Sequence, residues 1–213
     1  MLLTKNQVYI DRIKELMWQQ TLEHPLGMPQ YYGVLRYSYS YDLTKPLTTS
    51  QLRQRWDIVQ VKKTHEFINK LIRKTFGRDI PIWWTIERDT DCEDEKGNTK
   101  KGMFHSNVFI GSINESVIEE PSPYLMPLFY KEDDSGIPIH NRNLDMDSLK
   151  LLLLNVCIRQ SKWVGHHPRA LFLADVPPEE MKDTFMYSHK EFNSSMDSML
   201  NVVDWDNSSF YKP

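Results

Sequence analysis

Apolar residues near the start of the chain recur at three- and four-residue steps, at Val8, Ile10, Ile13, Leu16 and Met17. That spacing predicts an amphipathic helix over residues 4–22. Thr4 stands at its cap, and Pro25, Gly27 and Pro29 end it. The period then changes. YYGVLRYSYSYD, residues 31–42, sets aromatic and β-branched side chains against small polar ones, a strand pattern. A turn around Pro46 and the Thr48, Thr49, Ser50 cluster leads into a long helix over 51–76. Its inward positions are Leu52, Trp56, Val59, Phe67, Leu71 and Ile72, and Gly77 is its stop.

IPIWWTIERD at 80–89 and GMFHSNVFIGSI at 102–113 predict two strands of an antiparallel hairpin around a polar connection. Residues 119–143, rich in Pro, Gly and acids, predict a long loop. A helix over 147–162 capped by Asp147 follows, and RALFLADV at 169–176 reads as a central strand. Pro177 and Pro178 open a last helix, with Glu179 and Glu180 in its first turn where the dipole favours acids. In the polar tail Trp205, Phe210 and Tyr211 are candidates to pack back on the body. Helices interleaved with an antiparallel hairpin predict an α+β fold, a central, mainly antiparallel sheet flanked by helices. Residues 1–213 read as one domain, with 1–30 as an N-terminal helical extension and 193–213 as a tail.

Composition narrows the classes. Hydrophobic residues at 40% and charged residues at 26% exclude collagen-like, coiled-coil and fully disordered chains. No apolar run nears the ~20 residues that span a bilayer. The start, MLLTKNQVYIDRIK, reaches charge before a leader's apolar core can form, so a cytoplasmic, membrane-free protein is expected. Cys92 and Cys157 predict neither a disulfide framework nor a zinc knuckle. Twenty-six basic against 29 acidic residues give a net charge of −3. That balance argues against a protein that coats nucleic acid, and leaves room for a local basic groove.

Two places can carry chemistry. His105 and Asn107 are two apart on a strand and so share a face, with Phe109. Phe104, Val108 and Ile110 take the other. A hairpin can bring Glu87 alongside His105. One imidazole nitrogen and two oxygens would then suit Mg²⁺ or Mn²⁺, with positions left open for a phosphate. Tyr187 and Lys190 are three apart, neighbours on a helical face away from the apolar stripe of Met181, Phe185 and Phe192. A tyrosine hydroxyl can attack phosphorus when a metal polarises the phosphate and a nearby cation favours phenolate. Each motif alone also suits an ordinary strand histidine or a surface tyrosine beside a solvated lysine.

Taken in chain order, TIERD at 85–89, MFHSNVFIG at 103–111 and MYSHKE at 186–191 resemble the HUH endonuclease superfamily, in particular its single-tyrosine rolling-circle replication initiators. The strand at 31–42 stands in the position of that family's first strand motif. The resemblance in order covers roughly residues 31–192. It implies an antiparallel sheet flanked by helices, a divalent metal, and a tyrosine that attacks single-stranded DNA. The implied product is a 5′-phosphotyrosine link with a free 3′-OH. Carried over, His105 matches the first histidine, Asn107 the position of the second, Glu87 the upstream acid, Tyr187 the nucleophile and Lys190 the motif lysine. The implied partner is single-stranded or hairpin origin DNA, with a host helicase supplying any unwinding, because no G-x-x-x-x-G-K-[ST] motif is present.

Three departures stand out. Asn107 replaces the usual histidine, and Ser106 replaces a hydrophobic residue. The linker from Glu87 to His105 is long and leaves Asp89, Asp91 and Glu93 as rival acids. An amide ligand favours Mg²⁺ or Mn²⁺ over zinc. The phosphate-contacting surface is expected on Lys62, Lys63, Lys70, Arg73, Lys74 and Arg78, then on Lys100 and Lys101, with Lys96, in the hairpin connection. Exposed members of Tyr31, Tyr32, Tyr37, Tyr39 and Tyr41 could stack on bases, though packing accounts for most of them. His166 and His167 are weaker candidates, and Cys157 reads as core. The competing readings are a relaxase or transposase of the same superfamily, and a DNA-binding protein that keeps the fold without the chemistry.

Overall fold

A computed structural model describes residues 5–23, 28–37, 58–76, 80–88, 92–93, 99–100, 104–113, 130–132, 138–140, 146–161, 164, 170–190, 192 and 202–208. The elements are α1 (Lys5–Leu22), β1 (Tyr31–Arg36), α2 (Ile58–Phe76), β2 (Ile82–Arg88), β3 (Cys92–Glu93), β4 (Thr99–Lys100), β5 (Phe104–Ile110), β6 (Tyr130–Glu132), β7 (Pro138–His140), α3 (Met146–Arg159), β8 (Leu171–Asp175) and α4 (Pro178–Ser188). The main sheet runs β2-β5-β1-β8, antiparallel at every pairing. Among the described residues four helices flank it, so the class is α+β as the periodicities imply.

Alternation along the strands divides the side chains between two apolar layers. One face presents Tyr31, Leu35, Ile82, Trp84, Val108 and Ile110 to Ile68, Ile72 and Phe76 of α2 and Leu153, Leu154 and Ile158 of α3. The other presents Trp83 and Phe109 to Ile10, Met17 and Trp18 of α1 and Met181 and Phe185 of α4. The adjacent Trp83 and Trp84 thus anchor opposite layers, both fully buried. Gly33 lies where β1 is squeezed between its neighbours. A Cβ there would come within 3.0 Å of Val108, Leu173 and the Phe172 carbonyl oxygen.

Several expectations are corrected. Among the described residues the RALFLADV strand is an edge strand with β1 alone beside it, and its side chains are in part exposed. Helix α1 turns Ile10, Met17 and Trp18 inward, while Val8 and Leu16 are exposed. Helix α2 is rotated from the expected face. Val59 and Phe67 are exposed, and Thr64, His65 and Asn69 are buried with Val61, Ile68, Ile72 and Phe76. Hydrogen bonds make that rotation possible, as shown below. Asp147 lies inside the first turn of α3 rather than capping it, and Lys190 falls just past the end of α4. The segment expected to be a long loop contains the β6–β7 ladder, and a second short ladder, β3–β4, sits in the β2–β5 connection. Thr4, residues 38–57, Asp89, Asp91, Arg78, Lys96, Lys101, His166, His167, Phe210 and Tyr211 lie outside the described residues.

Within the tail, residues 202–208 pack against the body. Val202 and Val203 are buried in the α1–α4 layer. Val203 bridges Thr85, and the Asp204 amide donates to the Trp84 carbonyl at 3.1 Å. This segment therefore covers the outer edge of β2, which shields its open hydrogen-bonding groups. Trp205 stands edge-on to Trp83 at 5.4 Å.

Asp204 also ends a buried polar chain. Its Oδ2 lies 2.6 Å from His65 Nδ1. His65 Nε2 lies 2.9 Å from Ser106 Oγ and 2.7 Å from the Tyr37 hydroxyl, which itself donates to Ser106 at 2.6 Å. His65 is stacked on Trp84 with ring centres 4.0 Å apart. Burial holds the His65 pKa below its ordinary value, so the ring is neutral and donates from Nδ1 to a charged Asp204. Burial alone would raise the Asp204 pKa, but bonds from His65 and Asn207 and the nearby Lys62 outweigh it and hold it low. Ser106, His65 and Asp204 follow the order of an acyl-transfer triad. All three side chains are fully buried, so no substrate reaches the serine. The chain ties α2, β5 and the tail together.

Removing one member leaves a buried polar atom of its neighbour short of a partner, so His65→Ala and Asp204→Ala should each cost about 3 kcal/mol in urea unfolding. Both groups have lowered pKa values in the fold. Their contribution is therefore full at neutral pH, and stability should fall as pH drops below the ordinary histidine range and on through the carboxyl range. An acid titration of the urea midpoint in which wild type and His65→Ala run parallel would contradict this account.

Candidate functional site

On the α1–α4 side of the sheet, strand register builds three rows. Trp83, Phe109, Tyr32 and Ala174 form the first, and the two helices cover that end. Thr85, Asn107, Val34 and Phe172 form the second, and Glu87, His105 and Arg36 the third. Glu87 and His105 are directly opposed on neighbouring strands, which places their side chains on one face. Arg36 and Phe172 remain exposed.

Helix α4 delivers the remaining residues. Met181 and Phe185 bury its inner face, and the chain turns at His189. His189 Nδ1 lies 2.7 Å from the Phe185 carbonyl oxygen and Nε2 accepts from Trp83 Nε1 at 3.1 Å. Burial lowers the His189 pKa to about 4, so this ring is neutral and its two bonds fix the turn. Immediately after it, Lys190 Nζ reaches Glu87 Oε2 at 2.7 Å. The same ammonium lies 3.4 Å from the Tyr187 hydroxyl and 4.4 Å from the centre of the Tyr187 ring. Tyr187 is 65% exposed.

Glu87 is the hub. Its side chain is only 2% exposed. Oε2 also accepts from His105 Nε2 at 3.2 Å, and Oε1 accepts from Asn107 Nδ2 at 2.7 Å. Burial alone would raise its pKa. The His105, Lys190 and Asn107 donors together outweigh burial and hold Glu87 below the usual carboxyl range. Burial likewise disfavours the Lys190 charge, and Glu87 more than restores it, so its pKa is raised. The pair is ionised.

Asn107 is held from two sides. Its Nδ2 also donates to Thr85 Oγ1 at 3.1 Å, and its Oδ1 accepts from the Tyr32 hydroxyl at 2.8 Å. Burial, with help from the Glu87 charge, pushes the Tyr32 pKa up to about 12, so that hydroxyl keeps its proton. Turning the amide over would set its oxygen against the Glu87 carboxylate. The amide therefore presents its NH₂ to the site, and its oxygen faces away.

The donors suit a hard divalent cation in part. Glu87 Oε2 and His105 Nε2 are 3.2 Å apart, near the ~3 Å between adjacent corners of an octahedron with bonds of about 2.1 Å. A cation, the Lys190 ammonium, already sits on Oε2. His105 would have to move its ring hydrogen to Nδ1 to bind through Nε2. Asn107 as oriented steadies Glu87 and offers no oxygen. Among the described residues no group of three or more His, Cys, Asp or Glu converges, so substrate oxygens and water would complete the shell.

The structure thus brings Glu87, His105, Asn107, Tyr187 and Lys190 together and adds Tyr32 and Thr85. It does not bring in the expected basic surface. Lys62, Lys63, Lys70, Arg73 and Lys74 lie on α2, which packs on the opposite face of the sheet. Lys70 pairs with Glu66 at 2.6 Å, and Lys62 lies 4.0 Å from Asp204. Lys100 falls in β4 and Glu93 in β3. Tyr32 was legible as a strand aromatic, but its bond to Asn107 depends on strand order. Ser106, a departure from the resembled pattern, is explained by the buried chain to His65. Cys157 is core, 3.2 Å from Thr75 Oγ1. No family model, no curated protein and no solved structure matches the chain. None of its described helices is long and apolar enough to cross a membrane.

Asn107→Asp would place a second carboxylate against Glu87 in a buried setting. We expect a loss of about 2–4 kcal/mol without divalent ions, recovered in millimolar Mn²⁺. Urea unfolding with and without Mn²⁺ measures it, and equal midpoints in the two conditions would contradict a cation site here.

Proposed function

We propose that the chain nicks and rejoins single-stranded DNA through Tyr187, as an HUH-type initiator of rolling-circle replication. One observation supports this above the others. Tyr187 and Lys190, about 100 positions from Glu87 in sequence, meet Glu87, His105 and Asn107 at one open edge of the sheet face, linked by contacts of 2.7–3.4 Å. An exposed tyrosine with a lysine on its oxygen, beside a charged carboxylate and an imidazole, is a set that phosphoryl transfer uses.

In the proposed reaction the Tyr187 oxygen attacks the scissile phosphorus. The new P–O bond joins Tyr187 to the 5′ side, the P–O3′ bond breaks, and the leaving 3′ oxygen takes up a proton. The phenol proton passes to solvent or to a basic group of the site. Rejoining reverses each step, because the phosphotyrosine keeps one ester bond for the one broken. Lys190 stabilises charge on the phenol oxygen. Glu87 and His105 would hold Mg²⁺ or Mn²⁺, which when bound polarises the phosphate. Asn107, held by Tyr32, positions Glu87.

The open part of the same face offers a path for an extended strand. Arg36 can meet a phosphate, and Phe172, 56% exposed and edge-on to Tyr32 at 6.4 Å, can stack on an unpaired base. With the α2 lysines on the far side, binding through a few local cations predicts modest, salt-sensitive affinity. The relaxase and transposase readings use the same chemistry. A DNA-binding protein without chemistry draws its support from the inverted Asn107 amide.

A pool of labelled single-stranded oligonucleotides with Mn²⁺ should yield a covalent protein–DNA adduct on a denaturing gel. Tyr187→Phe should abolish it while DNA binding persists, and His105→Ala should remove the metal-dependent activity. An adduct that survives in Tyr187→Phe overturns the nucleophile, and binding without any adduct in wild type favours the non-catalytic reading.

A further inference from the structure

The oxygen of Glu87 that faces His105 is the one that Lys190 occupies. His105 Nε2 is 3.2 Å from Oε2, and Lys190 Nζ is 2.7 Å from the same atom. Oε1 is turned away to Asn107 at 2.7 Å. A divalent ion bridging Glu87 and His105 would need Oε2, and an ammonium hydrogen-bonded there stands in its seat. A second cation on that oxygen is disfavoured, because Coulomb repulsion between two cations is poorly screened against a side chain that is 2% exposed. Lys190 already has a second partner on its other side, the Tyr187 hydroxyl at 3.4 Å and the ring face at 4.4 Å. Its side chain is 41% exposed.

We propose that Lys190 is a resident counter-ion that a divalent cation displaces, and that displacement moves it from Glu87 onto the Tyr187 oxygen. This rests on the metal-dependent reading of the same site. Without metal the lysine neutralises the buried carboxylate and keeps the site folded. With metal, its charge goes to the atom that must become a nucleophile. Metal loading and preparation of the tyrosine become one event, and in the metal-free site the lysine divides its contacts between Glu87 at 2.7 Å and the Tyr187 hydroxyl at 3.4 Å. By linkage, whatever helps Lys190 leave Glu87 tightens metal binding, and whatever removes its second partner weakens it.

Mn²⁺ binding to the full chain, read by the electron-paramagnetic resonance signal of free Mn²⁺, tests this without any reference to activity. Lys190→Met should bind Mn²⁺ about tenfold more tightly than wild type, since the competing charge is gone. Tyr187→Phe should bind it several-fold more weakly, and the same change made in the Lys190→Met background should have no effect. Lys190→Gln serves as the second variant, with urea midpoints showing that each protein is folded. Unchanged or weaker binding in both Lys190 variants overturns displacement. A Tyr187→Phe effect that is absent in wild type, or equally large without Lys190, overturns the transfer to the tyrosine. Glu87→Gln separates this from failure of the underlying reading: if it binds Mn²⁺ as wild type does, the metal does not bind at this site, and both proposals fall together.

Discussion

A carboxylate taken out of water must be met by donors or positive charge, and Glu87 gathers three donors from two parts of the chain to meet it. His105 comes from the partner strand, Asn107 from two residues along it, and Lys190 from the turn after α4. Two of these donors are themselves fixed by something further back. Asn107 is locked by Tyr32 and Thr85. Lys190 is aimed by the neutral, doubly bonded His189 beneath it. An unpaired charge at this depth would cost several kcal/mol, so the order β2-β5-β1, the docking of α4 and the turn at His189 are energetically coupled through one side chain.

The opposite face of β5 obeys the same constraint with different residues. Ser106 lies between His105 and Asn107 in sequence but points the other way, into the chain running through His65 to Asp204. One strand therefore carries a polar residue into each layer at successive positions. The two networks differ in access. The Ser106 chain is sealed and pins α2 and the tail to the sheet, whereas the Glu87 cluster reaches solvent through Tyr187 and Lys190. Burial separates a structural clasp from a candidate reaction centre, although the residue types in the clasp look equally reactive.

This explains what was legible in the sequence. Strand periodicity placed His105, Asn107 and Phe109 on one face, because alternation leaves little freedom, and a hairpin allowed Glu87 to lie alongside His105, with the register set by the structure. The order of helices and strands was readable for the same reason. The face of α2 was not. Apolar spacing favoured Val59 and Phe67, but these are exposed and His65 and Asn69 are buried, with partners Asp204 and Asn207 139 and 138 positions away and Trp84 on the next strand. A polar residue is welcome in a core only if such partners arrive, which no local pattern shows. RALFLADV looks central because it is apolar, yet its place at the edge depends on which strands pair with β1.

The position of the cations follows from the same logic and decides how the candidate site would meet a polyanion. A basic helix face looks like a binding surface in sequence, but α2 spends its apolar side on one face of the sheet and the Glu87 cluster opens on the other. A strand held at Tyr187 would meet Lys190 and Arg36 locally rather than the row of α2 lysines, unless it wrapped the edge of the sheet. A net charge of −3 is then no obstacle. Under the proposed function what would matter is a few cations near the tyrosine, one of them, Lys190, paired with a buried carboxylate and 3.4 Å from the tyrosine hydroxyl.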